Sequence, residues 1–233
     1  MDYNFIAKKT LSVYVECDIR SFPIDCFKIL RYYNFRIYTY AQLLAANPRL
    51  YEMCRKYSDD AFRYQNIICY NQQAHDKRIR FSLMHELGHY ILGHKEDSDA
   101  NEEEADYFAS CMLAPRIAIL KTGCGTAEDI HDLFDVSYAA ANRILSDFRH
   151  KKDSGWGKSD QAISNWLYPP EPKIPSKQEN SMISSMPEKK DRKETARQRK
   201  RREEMEERAR FLSTYFPAMY GSIWEVTDYP ENY

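Results

Sequence analysis

His85-Glu86-Leu87-Gly88-His89 sets two imidazoles four positions apart with a carboxylate between them, a spacing that on a helix serves metal-assisted hydrolysis. Positions i and i+4 are separated by about 40° around a helix and stand one turn above one another. Both imidazoles can therefore reach one ion at the usual Zn–N distance of about 2.0–2.1 Å. Glu86 sits beside them, suited to take a proton from a metal-bound water rather than to bind the metal. Zinc brings the pKa of such a water to about 7, so hydroxide is available at neutral pH. The same five-residue pattern arises by chance in long charged helices, where it is only two surface histidines. Leu87 and Gly88 inside the motif and the apolar residues before it favour the functional alternative.

A catalytic zinc usually takes three protein ligands and keeps one position open. His94 is one candidate for the third, in a metzincin-like manner, but Gly93 and His94 stand at other offsets than that pattern uses. On a continued helix His94 would also point about 180° away from His85, which makes it a bystander. The acidic stretch Asn101 to Ala109 is the better source. Within it Glu102 and Asp106 share a face at i, i+4, so one can bind the ion while the other hydrogen-bonds a ligating histidine. The expected assignment is Glu102 on the metal and Asp106 behind it, where a carboxylate fixes the imidazole tautomer. Glu104 lies about 160° from Asp106 and falls outside that arrangement. A solvated acidic first turn, favoured by the helix dipole, accounts for Glu103 and can account for Glu104.

The elements that must position these groups can be read from periodicity. Ile79 to His94 spaces Ile79, Leu83, Leu87, Tyr90 and Ile91 along one side of a helix, with Gly93 as its stop. A second, acidic helix runs from about Asn101 to Leu113 and ends before Pro115. Upstream, Ile24 to Tyr33 has near-helical spacing, Phe35 to Tyr38 alternates like a strand, and Ala41 to Tyr57 is helical with a break at Asn47-Pro48. Asn66 to Asn71 is a short β-favouring run closed by a polar turn through Asp76. Thr126 to Arg149 has the caps of a helix pair turning at Val136-Ser137.

Composition limits the remaining possibilities. Six scattered cysteines without a C-x-x-C pair, and an N-terminus without an apolar leader, suggest a cytoplasmic protein with reduced thiols. No stretch approaches the roughly 20 apolar residues of a membrane helix. Residues 1–150 hold 18 Lys+Arg against 21 Asp+Glu, and residues 151–233 hold 16 against 14. Neither part is a polycation, so charge gives no general reason to expect nucleic acid. Residues 151–187, rich in Ser, Pro, Gly and Lys, have linker composition. Residues 188–210 are almost continuously charged, as in a solvated helix, and an aromatic tail follows to Tyr233.

A set of motifs carries a resemblance. Tyr70-Asn71, then Arg78 to Met84 running into His85-Glu86-Leu87-Gly88-His89, then Glu102-x-Glu104-Ala105-Asp106-x-Phe108-Ala109 and Met112-Leu113-Ala114-Pro115, resembles the ImmA/IrrE family of metallopeptidases. Phe134-x-Val136-Ser137-x-x-Ala140-Ala141-x-Arg143 is similar to the helical segment that follows the catalytic motifs there. The resemblance covers roughly residues 20–150. Counted back from Pro115, it puts the third ligand on Glu102, in agreement with the geometric choice. It implies an α+β, zincin-like (gluzincin-type) minimal peptidase domain with a small sheet and an active-site helix over residues 1–125. A helix-turn-helix-like hairpin over 126–150 would pack on it, ahead of the linker and charged tail. It also implies a cytoplasmic endopeptidase with one Zn2+, encoded with a mobile element or stress regulon, that cuts a helix-turn-helix repressor.

Zincin-type sites generally bind substrate as an extra strand on a sheet edge, and Asn66 to Asn71 is the candidate edge. Cys69, Tyr70 and Asn71 are then substrate-contacting candidates, with an ordinary core strand as the alternative. Tyr70, His75 and Arg80 are each possible partners for the oxyanion. The competing functional class is a DNA-binding or protein-binding regulatory module with a non-catalytic metal site. It rests on the helix pair and on the basic cluster Arg197 to Arg202, which four glutamates at positions 203, 204, 206 and 207 offset at once.

Overall fold

The computed structural model describes residues 1–169 apart from residue 97. The order along these residues is α1 (Tyr3–Glu16), α2 (Cys26–Tyr32), β1 (Arg36–Thr39), α3 (Tyr40–Ala46), α4 (Pro48–Tyr57), β2 (Ala61–Tyr64) and β3 (Ile67–Tyr70). There follow α5 (Asp76–Leu92), α6 (Asp99–Leu113), α7 (Arg116–Thr122), α8 (Ala127–Phe134), α9 (Tyr138–Ser154) and α10 (Lys158–Leu167). The architecture is α+β, mostly helical, with one three-stranded sheet.

Local chemistry sets most boundaries. The break between α3 and α4 falls at Asn47, whose side chain accepts from the Leu50 amide at 3.0 Å while Pro48 opens the next helix. Proline is suited to that first position because its missing N–H would have no helical partner there. His75 caps α5, accepting from the Lys77 amide at 3.2 Å. Gly93, at φ +81°, ends α5 in the left-handed conformation that glycine adopts without a Cβ penalty. Ser98 caps α6 by accepting from the Asn101 amide.

The sheet order is β1-β3-β2, with β1 parallel and β2 antiparallel to β3. A two-residue turn at Gln65-Asn66 joins β2 to β3, with Gln65 at φ +54°. Backbone alternation then fixes which groups face outward. The Asn71 amide donates to the Asp60 carbonyl at 2.8 Å, so positions 60 and 71, 62 and 69, and 64 and 67 are the hydrogen-bonded pairs. Ala61 and Arg63 belong to the intervening pairs, and their main-chain groups face the open edge. The Ala61 amide meets Ser58 Oγ at 3.3 Å.

α5 and α6 pack side by side through Leu83, Met84, Leu87, Phe108, Met112 and Leu113, all at most 2% exposed. Burying each such side chain contributes roughly 1.5–3 kcal/mol. Gly88 sits at the crossing, and its missing side chain lets the helices close: a Cβ there would lie 3.2 Å from the Ala105 backbone. α8 and α9 add Ile130, Phe134, Ala141 and Ile144 to the same core. Arg80 ties this corner together, donating to the carbonyls of Ile24, Phe134 and Asp135.

Three expectations change. The linker cannot begin at residue 151: α9 runs to Ser154, and α10 folds within the Ser- and Gly-rich stretch. Ile163 and Leu167 of α10 are buried in the core, and Trp166 Nε1 donates to the Ile19 carbonyl at 2.8 Å. Polar residues between these anchors mask the helical period. Second, Asn66 to Asn71 is not a sheet edge, since β3 pairs on both sides; the edge beside α5 is β2. Third, α1, β2, α7 and α10 are elements that periodicity did not bring out. The charged stretch 188–210, its basic cluster and the aromatic tail lie outside the described residues. Among the described residues no helix is long and apolar enough to cross a membrane, and all six cysteines are free. Burial pushes the Cys17 and Cys26 thiols up to about 12, far from the thiolate form at neutral pH.

Candidate metal centre

α5 presents His85 and His89 one turn apart, and the close α6 crossing brings Glu102 to both. His85 Nε2 lies 3.2 Å from one Glu102 carboxylate oxygen, and His89 Nε2 lies 3.2 Å from the other. The two Nε2 atoms are 2.9 Å apart. Tetrahedral donors at about 2.0–2.1 Å from one ion stand about 3.3 Å from each other, so these groups are spaced to share an ion. Among the described residues His85, His89 and Glu102 form a group with donor atoms within 4.8 Å of one another.

The proton inventory agrees with that spacing. His85 Nδ1 lies 2.8 Å from Asp106 Oδ1, and an ionised carboxylate only accepts. Nδ1 therefore carries the hydrogen, and in the neutral ring Nε2 turns a lone pair toward His89 and Glu102. Lone pairs and a carboxylate facing one another are an arrangement that a cation satisfies. Two imidazoles and one carboxylate suit zinc, and the set also accepts manganese or iron.

Electrostatics separates the two histidines. Burial works against charging His85, but the hydrogen bond that it donates to Asp106 and the charges of Glu86, Asp106 and Glu102 outweigh it, and its pKa is raised. His89 is lowered to about 4 by burial first, then by the charges of His85, His94 and Arg63. Glu86 lines the same cleft as His85, His89 and Glu102.

His94 stays outside the ligand group but is not turned away from the centre. The left-handed turn at Gly93 ends the helix, so the 180° offset of a continued helix does not apply. The His94 amide donates back to the His89 carbonyl at 3.0 Å, and its ring folds against that histidine. His94 Nδ1 lies 3.0 Å from His89 Nδ1, and His94 Nε2 lies 3.4 Å from Glu104 Oε2. The glycine stop was visible in the sequence; the reversal it produces was the signal for this contact.

The candidate substrate residues Cys69, Tyr70 and Asn71 are not brought to the cleft. Cys69 is buried between the sheet and α4, Tyr70 packs edge-on against Phe27, and the Asn71 amide group holds the Asp59 carbonyl at 3.1 Å. Nor do Tyr70, His75 or Arg80 line it; His75 is a helix cap and Arg80 is spent on main-chain carbonyls. Arg63, on the open edge of β2, does line the cleft. Its Nε is buried with no hydrogen-bond partner among the described residues. The signal for it was the Phe62-Arg63-Tyr64-Gln65-Asn66 run ahead of β3, which reads as a hairpin arm.

No curated protein and no solved structure was found to match the chain. The family model described as the IrrE N-terminal-like domain, Peptidase_M78, matches residues 50–146. The match is narrower than residues 20–150 at its N-terminal end, yet it spans β2, α5 and α6 and so contains every group of the centre. Over these residues, which hold His85, Glu86, His89 and Glu102, the chain is similar to the IrrE N-terminal-like domain of the M78 peptidases.

Proposed function

We propose that the protein is a zinc-dependent endopeptidase of zincin-like architecture that cleaves a helix-turn-helix repressor protein. The observation that carries the peptidase reading is the convergence of His85 Nε2, His89 Nε2 and the Glu102 carboxylate in a cleft also lined by Glu86 and by the edge of the sheet. The match of residues 50–146 to a peptidase family model supports it. The repressor substrate, and with it a place in a mobile element or stress regulon and in the cytoplasm, rests on the ImmA/IrrE resemblance.

His85, His89 and Glu102 would hold the ion, with Asp106 fixing the His85 tautomer. A zinc ion there supplies Lewis acidity, lowering the pKa of a water and polarising a peptide carbonyl. Glu86 takes the proton from the attacking water and returns it to the leaving amine. The Arg63 N–H and C=O, facing away from β3, offer an extended peptide a strand to pair with. Its guanidinium, within the cleft and with an Nε that has no partner among the described residues, meets the carbonyl oxygen as negative charge develops on it.

Purified protein loaded with zinc and incubated with repressors encoded beside its gene tests this. Wild-type protein is expected to cut one of them, and Glu86→Gln to keep its zinc and lose on the order of 10²–10⁴-fold or more in rate. Undiminished cleavage by Glu86→Gln would sink the mechanism.

A further inference from the structure

The centre has two carboxylates behind it, and only one has a role so far. Asp106 reaches His85 directly. Glu104, two residues earlier on α6, points to another side of that helix. It touches His94 instead, and His94 touches His89.

We propose that His94 and Glu104 form a hydrogen-bonded chain behind His89 that fixes which ring nitrogen His89 offers, so that both are positioning residues for the ion. The inference rests on reading His85, His89 and Glu102 as the ligand set. Its logic follows from donors and acceptors. If His89 Nε2 gives its lone pair to an ion, the hydrogen of the neutral ring sits on Nδ1. His94 Nδ1, 3.0 Å away, must then accept, which places the His94 hydrogen on Nε2. That nitrogen faces the Glu104 carboxylate at 3.4 Å, an acceptor. Each link admits one proton arrangement when the ion is bound, and the chain ends on a group that can only accept.

Placement supports the same conclusion. The His94 side chain is 8% exposed, so it is no solvated end residue. It approaches His89 from Nδ1, the side of the ring away from Nε2, and both of its nitrogens are engaged; it stands behind a ligand and is not one. The Gly93 reversal puts it there, and it carries the link from His89 round to the face of α6 that bears Glu104. The two histidines thus each have a carboxylate behind them, His85 directly and His89 through one intervening ring. Partners of this kind typically affect metal affinity by about 10–100-fold when removed.

The test is zinc affinity by competition with a chromogenic chelator, together with ring-nitrogen NMR of the zinc-loaded protein. His94→Leu keeps bulk without an acceptor; His94→Asn sets an amide oxygen where Nδ1 lies. His94→Leu is expected to weaken zinc binding about 10–100-fold, with His94→Asn recovering most of the loss and Glu104→Gln giving a smaller one. In wild-type protein the NMR spectrum should show His94 protonated at Nε2 and bare at Nδ1. That spectrum needs no variant to fold. His94→Leu binding zinc as tightly as wild type, or His94 protonated at Nδ1 in the loaded protein, overturns this inference alone. Wild-type protein that takes up no zinc overturns the ligand assignment and the inference with it.

Discussion

Gly88 of α5 lies so close to Ala105 of α6 that a Cβ at position 88 would stand 3.2 Å from both the Ala105 Cα and its carbonyl oxygen, and 3.1 Å from Cδ1 of Phe108. The glycine inside the metal motif is thus what lets the third ligand arrive. Without that approach, Glu102 and Asp106, on the same helix as Ala105, would stand farther from the imidazoles.

Gly88→Ala tests this directly. Alanine is the better helix former by about 1 kcal/mol, while overpacking a buried contact costs about 1–3 kcal/mol. The neighbour that must give way here is largely backbone, so the packing cost is expected to win, with a net loss of about 1 kcal/mol in urea denaturation. Zinc affinity should fall too, on the order of 10-fold, because α6 must move by a few tenths of an ångström. A variant more stable than wild type with unchanged zinc affinity would show that the crossing tolerates the extra carbon.

How much of this the sequence disclosed depended on how local each signal was. His85, Glu86 and His89 are one turn of one helix, and their shared face follows from spacing alone. Glu102 and Asp106 could be paired because they too share a face, although which carboxylate meets the ion depends on how two helices cross. His94 was misplaced because a helical wheel assumes that the helix goes on, and Gly93 ends it. Naming β3 as the edge failed for another reason: Asn66 to Asn71 has the sequence of a strand, but edge or centre is decided by what pairs beside it. β1 and β2 are distant or weakly patterned, so nothing within β3 could reveal them. α10 was hidden among linker-type residues, its buried face reduced to Ile163 and Leu167 with Trp166 alongside.

The raised pKa of His85 gives metal uptake a pH dependence. The carboxylates that raise it favour the charged ring, and a charged ring cannot ligate. Zinc affinity should therefore climb as pH rises through the folded-state value, above the usual 6.5 or so, and then level off, with His85 releasing a proton on binding. His89, lowered to about 4, is already neutral across that window and adds nothing to the slope. In the metal-free protein the two rings act oppositely on stability. The His85 contribution is full below about pH 6.5 and lost as pH rises through its folded value. The His89 contribution is full above about 6.5 and lost as pH falls toward 4. Competition titrations at a series of pH values measure the first effect; an affinity flat from about pH 6 to 8 would remove His85 from the ligand set.

Arg63 provides the sharpest test of how the cleft works on its substrate. It sits on the open edge of β2 and lines the cleft with the histidines. Its buried Nε has no partner among the described residues, and its hydrogen bond from Nη1 to the Gln65 carbonyl is long at 3.4 Å. A buried donor left unpaired costs about 1–3 kcal/mol, so a partner that arrives with substrate would recover that cost. If the partner is the carbonyl oxygen as it gains charge, removing the guanidinium should act on kcat more than on KM. Arg63→Ala is expected to lower kcat by about 10²–10³-fold, the usual loss for one oxyanion donor, with zinc content unchanged. Arg63→Lys keeps the charge without the forked geometry and should fall between the two. A rise in KM at constant kcat would instead assign Arg63 to holding the peptide, and unchanged kinetics would take it out of the site.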